Sequence, residues 1–210
     1  MNLISDSFED NGLIPGKCAF AVKDERMHIQ LSENKNPHLA WSDLPAGTRS
    51  LTLICHDPDA PSTAENANKE GLWIEKEVPR VVFCHWALVD LAPDSAAIAE
   101  GEFSNGVVAH GKKGPAGPRG TRQGVNDYTK WFAGDEKMAG NYFGYDGPCP
   151  PWNDKVMHHY IFSLYALKIA KAPVEGAFTG RDVLKAIKDH VLGAAIITGQ
   201  YSLNPGVRVK

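Results

Sequence analysis

The chain has 210 residues, 43% of them apolar and 22% charged, with a formal charge of −3 at neutral pH. That length supports one large domain with its own core, and the composition excludes a disordered chain or a coiled coil. The weak charge gives no global pull toward nucleic acid or an acidic membrane surface, so an anion has to be bound locally. No apolar run approaches the length of a membrane span, and Met1-Asn2-Leu3-Ile4-Ser5-Asp6 lacks the basic and apolar regions of a signal peptide. The expectation is a single domain over 1–210, cytoplasmic, without nucleic-acid or integral membrane contact.

Twenty glycines and fourteen prolines, several short β-branched runs and one good helical pattern point to a mainly β fold with long loops. Residues 1–17 read as an irregular lead-in, 18–22 and 27–31 as two short strands, and 34–48 as a loop in which Trp41 anchors the core. Ser50 to His56 is apolar on both faces, as expected of a strand inside a covered sheet. It is expected to stop at Asp57-Pro58-Asp59-Ala60-Pro61-Ser62, because two X-Pro steps break the ladder. Alternation sets Asp57 in phase with Leu53 and Cys55, so its carboxylate faces inward and needs a partner.

Residues 63–80 read as a surface excursion anchored by Gly71-Leu72-Trp73-Ile74. Val81 to Leu91 is the longest strand, with His85 in phase with Phe83 and Ala87, and Cys84 and Trp86 on the other face. From 92 to 143 the chain is loop-rich. The stretch 110–122 carries Lys112, Lys113, Arg119 and Arg122 and no acidic residue, and is read as a solvated loop rather than an anion or partner contact. It lacks the order of a nucleotide-binding loop, and no cofactor is expected.

Gly144-Tyr145-Asp146-Gly147-Pro148-Cys149-Pro150-Pro151 is stiff and irregular, since proline fixes φ and lacks an N–H while glycine permits positive φ. A buried strand over 158–169 follows, headed by His158 and His159. Thr179 caps a helix with Leu184, Ile187 and Val191 on its apolar face and Gly193 at its end. Residues 194–203 form a last strand or a short helix. Cys18, Cys55, Cys84 and Cys149 have no C-x-x-C spacing and read as reduced thiols, Cys149 being the one in a loop where it could be exposed.

His158 and Tyr160 leave one face of their strand and His159 the other. If the strands carrying Asp57, His85 and His158 are neighbours, these side chains converge beneath the Gly/Pro loop. A carboxylate then fixes one imidazole in a defined tautomer or holds it protonated, and both rings with the phenol offer donors to an anion. Backbone N–H groups freed by the loop would add donors without charge. Phosphate or a carboxylate is the natural guest.

The chain resembles the phosphatidylethanolamine-binding protein family, in particular its bacterial branch similar to Raf kinase inhibitor protein. The resemblance rests on Asp57-Pro58-Asp59-Ala60-Pro61-Ser62, on His85-Trp86 in a buried strand, and on Gly144 to Pro151 followed by His158-His159-Tyr160. Asn36-Pro37-His38-Leu39-Ala40-Trp41 and Leu44 to Ser50 extend it, in family order from about residue 8 to 203. It implies an antiparallel β-sandwich-like fold with a few peripheral helices and an anion pocket at one end of the sheet. Asp57, His85 and His158 would be its polar centre, with Tyr160 beside them and Gly147, Pro150 and Pro151 in the wall. Tyr201 aligns with a C-terminal lid tyrosine of some members.

The implied partner is phosphate, or a phosphorylated small molecule or lipid headgroup. The resemblance further implies a target protein, inhibited as a kinase or protease, and a homodimer as in some bacterial members. Segments 63–80 and 110–143 look longer than in compact members. A hydrolase in which a His/Asp pair activates Ser62, Cys149 or water is the competing reading, but no nucleophile elbow supports it. No short His spacing favours a metal site.

Overall fold

The computed structural model describes residues 1–208. In chain order its elements are β1 (Asn2–Ile4), β2 (Gly12–Leu13), β3 (Ala21–Asp24), β4 (His28–Leu31), β5 (Leu39–Ser42), β6 (Ser50–Pro61), β7 (Arg80–Leu91), β8 (Ala97–Ile98), β9 (Arg122–Gln123), α1 (Tyr128–Trp131), β10 (His158–Leu167), α2 (Gly180–Ile187) and β11 (Val191–Tyr201). The main sheet has the order β2-β11-β10-β6-β7-β9, antiparallel except for the short β2–β11 pairing. A smaller sheet, β1-β5-β8, and the β3-β4 pair complete the strands.

Strand alternation splits the main sheet's apolar residues between two clusters. Leu51, Leu53, Cys55, Trp86, Leu88, Tyr160, Phe162 and Leu164 join Leu3, Leu39, Trp41 and Ile98 of the smaller sheet. Ile54, Ala87, Val89 and Leu167 instead join Val183 and Ile187 of α2. The result is a mainly β, sandwich-like fold with a helix over part of the opposite face, as expected. Trp41 is buried in the first cluster.

The structure corrects the reading at several places. The lead-in and the 34–48 loop contribute β1 and β5, which pair with each other. These strands are too short to show a clear alternation. β6 does not stop at Asp57 but runs to Pro61, with a register shift between Asp57 and Ala60. Its ladder with β10 ends at His56, so the prolines fall where β10 requires no further N–H groups.

β7 contains a bulge, because Cys55 pairs with Trp86 while His56 pairs with Cys84. His85 is the extra residue, and the bulge resets the strand's phase. Cys84 therefore packs against the helix-side cluster with Ala87, while His85 meets Tyr160 and Trp86 enters the sandwich core. The expected pairing of Cys84 with Trp86 on one face is thus reversed.

The capping box at Thr179 is present, with Thr179 Oγ1 accepting from the Asp182 N–H and Asp182 accepting from the Thr179 N–H. The helix ends at Ile187, and Val191 and Gly193 lie on β11, which settles the last element as a strand. Gly180, Val183 and Ile187 are its buried positions, while Leu184 is exposed.

The cationic stretch is solvated at Lys113 and Arg119, yet three of its cations are paired. Lys112 donates to Asp146, Arg119 to Glu102, and Arg122 to Asp90 and the Ala172 carbonyl. The 63–80 excursion is pinned through Ile74, which is buried and bridges to Asp154, and through Asn153, whose Nδ2 donates to the carbonyls of Asn66 and Leu72. Trp73 stays about half exposed.

The Gly144–Pro151 loop is held from below by the Asp146 carboxylate, which is 1% exposed. It accepts from Lys112 Nζ at 2.6 Å, Asn34 Nδ2 at 2.7 Å and Asn126 Nδ2 at 2.8 Å. Asn34 Oδ1 in turn accepts from the Gly147 N–H, and a Cβ at Gly147 would sit 2.1 Å from the Cys18 carbonyl oxygen. Asp146→Ala removes the counter-charge of the part-buried Lys112 ammonium and one acceptor from each of two buried amides, which keep only their carbonyl partners. It is expected to destabilise the fold by about 3–5 kcal/mol, measured by urea unfolding, and a change within ~0.5 kcal/mol would contradict this role.

Candidate functional site

Three central strands deliver the polar residues to one end of the sandwich. The inward phase of β6 carries past Cys55 to Asp57, which is 3% exposed. β10 begins with His158 and Tyr160 on the same face, both 1% exposed. The bulge in β7 turns His85 toward them, with its ring centroid 5.0 Å from that of Tyr160 at an interplanar angle of 70°. A cavity of about 770 Å³ opens over this group. Asp57, His85, His158, Tyr160, Pro150 and Pro151 all line it, with Tyr128 and Cys149.

His158 is the most constrained member. Its Nδ1 lies 2.7 Å from Asp57 Oδ2 and its Nε2 lies 3.2 Å from Asp154 Oδ2. Two carboxylates accept from both ring nitrogens, so the ring is an imidazolium. Burial alone would lower its pKa, but the Asp57 charge and the bonds to Asp154 and Asp57 outweigh that and push it up to about 9. Asp154 is held by Arg80, whose Nη1 and Nη2 approach its two carboxylate oxygens at 2.5 and 3.1 Å. Burial would raise the Asp154 pKa, and the bonds from His158 and Arg80 keep it below the usual carboxylate value.

His85 behaves differently. Its Nδ1 lies 2.8 Å from the Asp146 carbonyl oxygen, which only accepts, so Nδ1 carries the proton and Nε2 is left for the cavity. Burial lowers its pKa more than Asp57 and the Asp146 bond raise it. The ring is neutral. Among the described residues neither His85 Nε2 nor the Tyr160 hydroxyl has a hydrogen-bond partner.

Several expectations change here. His158 has no donor left for a guest, since both nitrogens serve carboxylates. The loop leaves few N–H groups free: Gly147 donates to Asn34, Asp146 to the His85 carbonyl, and the three prolines have none, while the Cys149 N–H at the cavity wall has no acceptor among the described residues. Gly147 does not line the cavity but packs on Cys18, with its carbonyl accepting from the Tyr128 hydroxyl. Tyr201 is no lid, since it is buried and donates to the Ala21 carbonyl. His159 lies on the other side of β10 and pairs with Asp59 at 2.8 Å.

Asp154 and Arg80 were absent from the sequence reading. The only trace was the i, i+4 spacing of Asp154 and His158, which in an irregular segment predicts no contact. For the hydrolase reading, burial pushes the Cys149 thiol up to about 12, and no imidazole lies within hydrogen-bond distance of Cys149 or of the exposed Ser62. Neither residue is an activated nucleophile in this arrangement.

A family model described as phosphatidylethanolamine-binding protein matches residues 4–202. The chain belongs to the phosphatidylethanolamine-binding protein family. It is similar to the UPF0098 protein YbhB of Escherichia coli, with 32% identity over 96% of this chain and 100% of that one. A UPF0098 protein of Methanothermobacter thermautotrophicus is 33% identical over 96% of this chain and 98% of its own. Among solved structures, Escherichia coli YbcL, described as a new member of the mammalian family, matches with a TM-score of 0.66 and 25% identity over 96% of this chain and 97% of that one.

In this family member the clamped His158 makes stability pH-dependent. A folded-state pKa raised from 6.5 to about 9 stabilises the fold fully below the unfolded value and loses that contribution as pH rises through the folded value. We expect unfolding free energy to fall on the order of 3 kcal/mol across that window. Urea unfolding at stepped pH reads the loss, and an NMR titration of the His158 ring centred near the ordinary imidazole value would refute the clamp.

Proposed function

We propose that the chain is a non-catalytic binding protein whose cavity holds the phosphoryl or similarly small anionic headgroup of a phosphorylated ligand. The observation that carries this reading is the preorganised end of the cavity. Asp57, His158, Asp154 and Arg80 fix one another, while His85 Nε2 and the Tyr160 hydroxyl are left facing open space. Polar groups held in place and left unpaired in a cavity are what a specific small ligand exploits.

The cavity is larger than a phosphate ion, so the anion is one end of the guest. Around the mouth stand Val81, Val82, Trp131 and Leu184, all exposed, together with Lys130 and Arg181. This rim suits the apolar or zwitterionic remainder of a phosphorylated molecule or lipid headgroup. A regulatory role, in which the protein inhibits a kinase or protease target in the cytoplasm, extends the proposal on the strength of the family resemblance, as does a homodimer.

Titration with inorganic phosphate and phosphorylethanolamine, followed by the ring signals of His85 and Tyr160, tests the reading. Saturable shifts at both rings are expected. Tyr160→Phe should weaken binding about five- to tenfold, the loss of one hydrogen bond to a charged guest, with the fold intact. If neither ligand moves either signal, the anion pocket is refuted.

A further inference from the structure

The charges at the inner end of the cavity cancel. Asp57 and Asp154 are carboxylates, and His158 and Arg80 are the cations between and beside them, with no surplus positive charge. An anion entering this end therefore meets no net attraction from the clamped group. The ring nitrogen it does meet is His85 Nε2, a lone pair in the tautomer that the Asp146 carbonyl imposes. A lone pair repels an anionic oxygen, whereas an N–H at the same atom would both donate and supply the missing charge.

Resting on the anion-pocket reading, we infer that the cavity takes its anion together with one proton, and that His85 Nε2 is the atom that receives it. The ligand class is thereby narrowed to oxyanions that need carry no proton of their own, because the proton is taken from solvent and held on the ring. His85 is the specificity-determining residue, and its Nδ1–H···O=C bond to Asp146 aims the receiving atom into the cavity.

The surroundings of His85 fit this role. Asp57 approaches from β6, Asp146 from the Gly/Pro loop and Asp127 from the start of α1, and each favours the charged ring. Tyr128 from α1 and Tyr160 from β10 meet it edge-on, Phe83 flanks it on β7, and His158 on β10 is already bound to Asp57 and Asp154. Burial outweighs the three carboxylates and keeps the ring neutral. An anion at Nε2 adds a fourth negative charge where the ring can still answer by gaining a proton. His158 cannot serve as the source of the pH dependence near neutrality, because it stays charged up to about pH 9.

Sulfate is the probe, because it stays a dianion through the neutral range and any pH dependence belongs to the protein. Calorimetric titration of the full chain between about pH 5.5 and 8 is expected to show affinity falling about tenfold per unit above the His85 pKa. Repeating it in two buffers of different ionisation enthalpy should report about one proton taken up per sulfate at the alkaline end. His85→Gln should remove both the slope and the proton uptake. The wild-type proton count stands as evidence by itself if that variant fails to fold.

Saturable sulfate binding with a flat pH profile overturns the coupling and leaves the anion pocket standing. Binding of inorganic phosphate without any binding of sulfate also overturns it, because the proton then travels on the ligand. If neither anion binds at any pH, the pocket reading falls and the coupling with it.

Discussion

The structure depends on the docking of Asp146 against His85. Its N–H donates to the His85 carbonyl and its carbonyl accepts from the His85 ring, while its carboxylate gathers Lys112, Asn34 and Asn126. One buried residue thus ties a glycine- and proline-rich loop to a central strand and fixes a tautomer in the cavity. A buried carboxylate is costly unless every lone pair finds a donor, and here three donors from distant parts of the chain supply that. Loop position, His85 orientation and cavity wall are consequently one arrangement.

The second constraint is charge cancellation beneath that loop. Asp57, His158, Asp154 and Arg80 form an alternating row in which each charge is met by its neighbour. Such a row is rigid, since moving one member strands another. It supplies a fixed floor rather than a source of attraction for an anion. The two side-chain groups left unpaired there are His85 Nε2 and the Tyr160 hydroxyl, and the proposed recognition rests on them. The mouth differs, with Lys130 and Arg181 among exposed apolar residues.

Much of the site was legible because the residues that form it lie on long strands of regular period. Asp57 was placed inward by its phase with Leu53 and Cys55, and His158 with Tyr160 by their spacing of two, and both placements hold. His85 was set in the wrong phase relative to Trp86 because a bulge is a difference between two strands and leaves no mark on one of them. β6 was cut short for a related reason: proline breaks a ladder only on the side where a neighbour needs its N–H. On the helix the Thr179 cap and the buried Ile187 are legible, whereas Val191 belongs to the following strand and Val183 takes the buried place expected of Leu184.

The sequence by itself determined the family, the mainly β architecture, the covered central strands and the identity of Asp57, His85, His158 and Tyr160 as polar residues in or beside those strands. These follow from local periodicity and from motifs contiguous in the chain. Only the tertiary structure decided how the charges pair. Asp154 with Arg80 spans 74 positions, Lys112 with Asp146 spans 34, and Asn34 with Asp146 spans 112. A long-range ion pair has no period to betray it, because each partner reads alone as an ordinary charged surface residue. The fold buries them, and burial turns those charges into the ties that set which nitrogen of which histidine faces the cavity.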